Sequence, residues 1–271
     1  MNTINDDPRV WIFDLDETLG QFGILCVLVK IYRHFNNEYP SPKYTVDHYL
    51  GNDNNSNDSG FRPGLIELMK LGEDLLERNL SDEIVIYTSA SNANGWVDYI
   101  VECIEYYCNV KKGTINRVIS SDVSFVPSRD GCGIKDIKHI IYPKTSLNNV
   151  IMVDDKVNNI VQYNNTNANI SNIFSVTPYQ QFIPPWKFLR NMSCWDINVE
   201  TRIREKCCKE KQKRGIFNNI DGDDINHPVG LSLLSITHDA KLYPHEIHPV
   251  SYRLDNELIL IKNELINRFI K

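Results

Sequence analysis

The sequence predicts an α/β protein built on a parallel central sheet, and three observations carry that prediction. Short, strongly apolar runs recur at 10–13 (Val-Trp-Ile-Phe), 84–87 (Ile-Val-Ile-Tyr) and 149–153, and they read as strands buried on both faces. Segments with apolar residues at helical spacing separate them. Each run leads into polar residues capable of chemistry: Asp14, then Thr88-Ser89, then Asp154-Asp155. Open α/β sheets place their sites at the carboxyl ends of strands.

The elements follow in order. After the first strand, Ile24, Leu28, Ile31 and Phe35 recur at helical spacing, which predicts a helix over 23–36. The Asn-rich stretch 51–58 reads as a loop. Phe61-Arg62-Pro63-Gly64 opens a second helix carrying Leu65, Leu68, Leu75 and Leu76. The second strand, 84–87, ends at Thr88-Ser89. Ser91 or Asn92 caps a helix running through Cys108, with Trp96, Ile100, Ile104 and Tyr107 on one face. Val118-Ile119 and 123–126 read as short strand-like pieces around a turn. Residues 149–153 and 173–176 are two further strands. Beyond Pro178 the rhythm stops, and Pro184-Pro185 interrupts the chain. Residues 198–214 read as helical, with Gly215 as their stop. Leu254, Leu258, Ile261, Leu265 and Phe269 define a terminal amphipathic helix. The expected division is a core over 1–177, in which 20–60 is a modified flap or small insertion. Residues 178–271 form a C-terminal elaboration whose last helix packs on the core.

Bulk properties narrow the function. A chain of 271 residues can bury one sizeable core with an appendage. Its net charge of -6 gives no general attraction to nucleic acid or anionic membrane, so neither is an expected partner. The best apolar run, 24–29, is too short to span a bilayer. The first nine residues are polar and acidic, unlike a signal or transit peptide. Seven scattered cysteines read as reduced thiols in an intracellular compartment, cytoplasmic or nuclear. Cys207-Cys208 with His227, His238, His245 and His248 lacks the compact pairing of a zinc site. Asp221-Gly222-Asp223-Asp224 lacks the calcium-loop pattern and reads as a surface turn. Over 202–214 a cationic run, from Arg202 and Arg204 to Lys213 and Arg214, is interleaved with Glu205 and Glu210. It reads as a solvated helix face or as a docking surface for an acidic or phosphorylated partner. Trp186, Phe188 and Trp195 are expected to pack the appendage onto the core.

The pair Asp14 and Asp16 is the sharpest feature. Two carboxylates one residue apart repel, so at least one pKa should rise unless a cation lies between them. Mg²⁺, with its oxygen ligands, resolves the conflict. Three other elements fit the same chemistry. The Thr88 hydroxyl can hold a phosphoryl oxygen, Lys135 can offset charge on nucleophile and phosphate, and Asp154-Asp155 adds a metal ligand. A pentavalent phosphorus transition state needs such parts. Asp136 reads as a cap or supporting residue. Arg62 either fixes a turn or an acidic neighbour, or reaches substrate.

Asp14-x-Asp16-x-Thr18, a strand ending in Thr88, Lys135 and the acidic pair Asp154-Asp155 resemble, in order, the motifs of the haloacid dehalogenase (HAD) superfamily. Asp14-Leu15-Asp16-Glu17-Thr18-Leu19 further resembles the FCP-homology phosphatases of the RNA polymerase II C-terminal domain. Arg62-Pro63-Gly64-Leu65, Tyr87-Thr88-Ser89 and Ile134-Lys135-Asp136-Ile137 agree with it, and 118–134 corresponds to a hairpin insertion before the lysine. The resemblance covers roughly 9–177. It implies a three-layer, Rossmann-like HAD sandwich with a parallel central sheet and no large cap. It implies Asp14 as covalent nucleophile and Asp16 as general acid and base. It implies Mg²⁺ held by Asp14, the main-chain carbonyl of Asp16, and Asp155. Asp154 would orient Lys135, and Ser89 would stand behind the reacting groups. Three features depart from the family. Gly20-Gln21 and a helix stand in place of the flap hairpin. Lys156-Val157 replaces Ser-Pro after the acidic pair. About sixty residues, by pattern alone, separate Ser193 from Pro249, before Asp255-Asn256-Glu257-Leu258 resembles the family's last helix.

The function this implies is Mg²⁺-dependent phosphomonoester hydrolysis through an aspartyl-phosphate. A phosphoserine or phosphothreonine of a protein is the first substrate, since a site without a large cap admits an extended peptide. A small phosphorylated metabolite or a nucleic-acid 3′-phosphate is the second reading. A binding module that kept the fold without the chemistry is the third, and the complete set of catalytic residues argues against it.

Overall fold

Four consecutive apolar residues, each buried, make β1 (Val10–Phe13) a strand covered on both faces. The structure is a computed structural model. It describes residues 9–50, 59–124, 126–127, 133–136, 149–157, 160–161, 173–179 and 255–269. β2 (Glu83–Tyr87) and β6 (Val150–Asp154) flank β1 in parallel, with Phe13 level with Ile86 on one side and Val153 on the other. β3 (Arg117–Ile119) and β8 (Ile173–Ser175) complete a five-stranded parallel sheet of order β3-β2-β1-β6-β8. The chain builds outward from β1 first to one side and then to the other. That switch of direction makes the carboxyl end of β1, where Asp14 follows, the expected place for a site.

The expected α/β fold, with its parallel sheet and helices, is therefore the observed one. The helix after β2 begins later than its capping residue suggests. A short 3₁₀ turn, Ala93–Gly95, precedes α4 (Trp96–Cys108). Asn92 still acts as the cap, because its Oδ1 accepts the amides of Val97 and Asp98 at 2.8 and 3.2 Å. The strand-like reading of 123–126 is corrected. Ser121–Ser124 is one helical turn, α5, because Asp122 turns back to accept from Ser91 Oγ at 2.7 Å and Ser120 Oγ at 3.2 Å. Extended backbone resumes among the described residues at β4 (Val126–Pro127). It runs antiparallel to β5 (Gly133–Asp136), which carries Lys135 and ends at Asp136, and β7 (Ile160–Val161) pairs with β5 in parallel. This second sheet has the order β4-β5-β7.

Contacts divide the chain into two compact units. One holds Met1–Gly20, Phe61–Gln180 and Tyr252–Lys271, and the other Gln21–Gly60 and Gln181–Ser251. In the first, α3 (Leu65–Glu77) follows Gly64 and packs against α4 and against the terminal helix α6 (Glu257–Phe269). Leu258, Ile261 and Leu265 form the buried face of α6. Gly64 sits at φ +85°, and a Cβ there would lie 2.8 Å from Ile259 Cγ1 and 3.1 Å from the Ile259 amide. Glycine at this turn is what lets α6 approach so closely. In the second unit, α1 (Gly23–Asn36) ends at Asn37 in the left-handed region. Ser41 then caps α2 (Pro42–Thr45), which runs on as a π-helical turn, Val46–Leu50. The Tyr44 ring there contacts those of Tyr32 and His48, with centroids 5.7 and 4.6 Å away.

No helix among the described residues is long and apolar enough to cross a membrane. The Asn-rich loop, the basic run at 202–214, the 221–224 turn, the Cys207-Cys208 and histidine group, and the three appendage aromatics lie outside the described residues.

Candidate active site

Just past β1, Leu15 goes fully into the core, Asp14 is buried and Asp16 is half-buried. The Asp14 amide donates to the Val153 carbonyl at 2.9 Å, which locks the nucleophile candidate to the neighbouring strand. β6 ends one residue later at Asp154. The two sheet strands therefore deliver Asp14 and Asp154 side by side.

Lys135 reaches the gap from the small sheet. Its Nζ donates to Asp14 Oδ1 and, at 2.6 Å, to Asp154 Oδ2. All three side chains are buried, so one ammonium serves two carboxylates away from water. Burial pushes the Asp14 carboxyl up to about 7, against the pull of Lys135, with smaller upward contributions from Asp154 and Asp16. The rise expected from the Asp14–Asp16 pair is thus present, but desolvation is its chief cause. Burial alone would lower the Lys135 ammonium. Asp14 and Asp154 together overcome it and hold the proton more firmly.

Thr18 closes the Asp14-x-Asp16-x-Thr18 motif, and the sequence by itself assigns it no role. Its Oγ1 lies 3.2 Å from Asp14 Oδ2 and 3.3 Å from Asp155 Oδ1, and it accepts the Asp155 amide at 3.1 Å. One hydroxyl therefore couples the first motif to the acidic pair. The turn that places it is unusual, since Glu17 has φ +62°. Lys156 adds a half-exposed cation at this rim, 3.0 Å from Glu17 Oε2 and 3.5 Å from Asp155 Oδ2. Its amide donates to Asp154 Oδ1 at 2.6 Å.

Thr88 is buried just past β2, where its Oγ1 accepts the Ala90 amide at 3.0 Å. As an acceptor in that bond, the hydroxyl still has its own hydrogen to donate. Ser89 is exposed on the following bend. Arg62 is placed differently from a substrate contact. It is buried, with Nε 2.9 Å from Asp255 Oδ2 and one terminal nitrogen 2.6 Å from Glu257 Oε2. The other donates to the carbonyls of Glu17 and Thr18 at 3.4 Å each. Of its two roles read from sequence, turn and acidic neighbour are the contacts it makes here.

The donor set suits a hard cation. Carboxylate oxygens of Asp14, Asp154 and Asp155 lie within 4.8 Å of one another. Asp154 has both oxygens engaged, by Lys135 and by the Lys156 amide. Asp155 Oδ2 is buried and accepts no hydrogen bond among the described residues. Burial also raises the Asp155 carboxyl, with Lys156 opposing. A divalent ion with oxygen ligands would relieve both raised carboxyls.

Residues 10–192 match the family described as NLI interacting factor-like phosphatase. The chain belongs to this family. It is a HAD-type phosphatase, a phosphoric monoester hydrolase, as its motifs predict. No curated protein matches this phosphatase significantly. The family match spans β1 through β8, and so includes every strand that delivers a residue to the site.

Proposed function

We propose that this phosphatase hydrolyses phosphoserine or phosphothreonine in proteins through an aspartyl-phosphate on Asp14, with Mg²⁺ as its metal. The observation that carries the mechanism is the Lys135 bridge between Asp14 and Asp154. A carboxylate whose one oxygen is tied to a buried cation and whose other oxygen touches Thr18 has a single orientation, as in-line attack requires.

The steps follow from this chain's residues. An Asp14 oxygen attacks phosphorus, and the bond from phosphorus to the substrate oxygen breaks. Asp16 gives its proton to that departing oxygen. Thr88 donates to a phosphoryl oxygen while Lys135 offsets the developing charge. Asp16 then takes a proton from water, the water oxygen attacks phosphorus, and the bond to Asp14 breaks to release phosphate. Asp14, Asp155 and the Asp16 carbonyl would hold Mg²⁺, which when bound supplies positive charge against the carboxylates and phosphoryl oxygens.

The substrate reading rests on the family and on the resemblance of 14–19 to the C-terminal-domain phosphatases. The basic run at 202–214 is proposed as a contact for an acidic or phosphorylated partner. Turnover of p-nitrophenyl phosphate with and without Mg²⁺, beside Asp14→Asn, tests the chemistry. Metal-dependent turnover lost in Asp14→Asn is expected, and its absence in folded protein would point to a binding module. A panel of phosphopeptides, sugar phosphates and 3′-phosphorylated oligonucleotides tests the substrate. Rapid sugar-phosphate hydrolysis beside inert phosphopeptides would overturn the protein reading.

A further inference from the structure

Arg62 sits 44 residues from Thr18 and 195 from Glu257 in sequence, yet it touches both. A buried guanidinium needs counter-charges, and Asp255 and Glu257 supply them. Those two carboxylates alone would satisfy the charge. The other terminal nitrogen instead donates to the main chain of the loop that follows Asp16, at the Glu17 and Thr18 carbonyls. The Arg62 amide donates to the next carbonyl along, that of Leu19, at 3.0 Å.

Each end of this clamp is itself braced. The Glu17 carbonyl also accepts the Tyr179 amide at 2.7 Å, and the Tyr179 ring faces the guanidinium at 5.8 Å. Glu257 accepts the Thr177 amide and hydroxyl, each at 2.8 Å. Asp255 Oδ1 accepts the Glu257 amide at 3.3 Å at the start of α6. One guanidinium thus ties the loop after β1, the segment after β8 and the N-terminus of α6 into one block. The output of the block is the position of Thr18, whose hydroxyl stands between Asp14 and Asp155.

We propose that Arg62, held by Asp255 and Glu257, is a positioning residue for the phosphatase reaction, which makes α6 part of the active-site support. The proposal rests on Asp14 as the reacting carboxylate. A lysine can keep one ion pair but cannot span two carboxylates and two carbonyls. A loop displaced by a fraction of an ångström misaligns Thr18, Asp14 and Asp155 together.

The test compares wild type with Arg62→Lys, Glu257→Gln and Leu68→Ala, the last a buried apolar residue of α3 whose side chain makes none of the clamp's hydrogen bonds or ion pairs. Full-length proteins are assayed well below their unfolding temperatures for kcat, KM and Mg²⁺ affinity, the last by calorimetry. Arg62→Lys should lower kcat about tenfold or more, with KM little changed and Mg²⁺ binding weaker. Glu257→Gln should move both readouts in the same direction, and Leu68→Ala should move neither. Should Arg62→Lys fail to fold, Glu257→Gln against Leu68→Ala decides. The clamp is overturned if the folded variants match wild type, or if Leu68→Ala loses kcat equally. Mg²⁺ affinity separates this from the mechanism: weaker binding in the variants supports the clamp even where wild type shows no Asp14-dependent turnover.

Discussion

Asp14 is buried beside Asp154 with a single ammonium between them, and that placement makes its charge expensive. Its carboxyl is raised from 3.8 to about 7, chiefly by burial. A group raised on folding stabilises the fold fully below its unfolded value, and that contribution is lost as pH climbs through the folded value. The metal-free protein should therefore lose stability from about pH 4 to pH 8 on this account, with a ceiling of roughly 4 kcal/mol. Asp14→Asn removes the charge and leaves Lys135 and Asp154 as a balanced pair. In chelator, its unfolding temperature should overtake that of wild type as pH rises from about 5 to about 8; a gap independent of pH would contradict the assignment. Lys135→Met has the opposite consequence, because it leaves two buried carboxylates without their cation. It should cost roughly 3–5 kcal/mol in urea unfolding and abolish turnover.

Loops at strand ends, rather than whole elements, set the precision of the site. Gly64 shows how an element's packing depends on one backbone angle. Gly64→Ala should destabilise by roughly 1–3 kcal/mol, since the new methyl meets both Ile259 and its amide. Gly95→Ala is the matched comparison, with φ +76° and nothing within 4 Å of the added carbon. It isolates the backbone part and should cost about 1 kcal/mol. Equal urea midpoints for the two would show that α6 does not crowd the turn. Asn92→Ala removes the α4 cap and should cost about 1 kcal/mol. Measurable loss of turnover with that variant would mean the loop after β2 also sets Thr88.

For the whole molecule, the proposed Mg²⁺ is the strongest lever. A cation binding only the folded state stabilises by about 3 kcal/mol at a hundredfold excess over its dissociation constant. Mg²⁺ should raise the unfolding temperature of wild type and leave that of Asp155→Asn nearly unchanged. Because ligand carboxylates must be deprotonated, the Mg²⁺ effect should grow as pH passes through about 7. A Mg²⁺ shift independent of pH, or one retained in Asp155→Asn, would exclude this site as its origin. Chelation should return the protein to the lower temperature.

The buried strands were legible because parallel strands covered on both faces need apolar residues throughout, as Val10–Phe13 and Val150–Asp154 nearly are. The helix at Gly23–Asn36 was legible from its spacing alone. The stretch 123–126 was not, because Asp122 pairs with Ser91 from a distant loop and bends the chain against its local preference. Motif chemistry alone pointed to Asp14, Asp16, Lys135 and the acidic pair as one set suited to phosphate, and the structure brings Asp14, Lys135, Asp154 and Asp155 together. Tertiary structure decided three things. Burial, more than the neighbouring carboxylate, raises Asp14. Thr18 couples the two acidic motifs. Arg62 faces inward to α6 and the loop after β1. The physical reason is the same in each case. A residue type states which interactions it can make, but desolvation and hydrogen-bond direction depend on neighbours that the chain brings from far away.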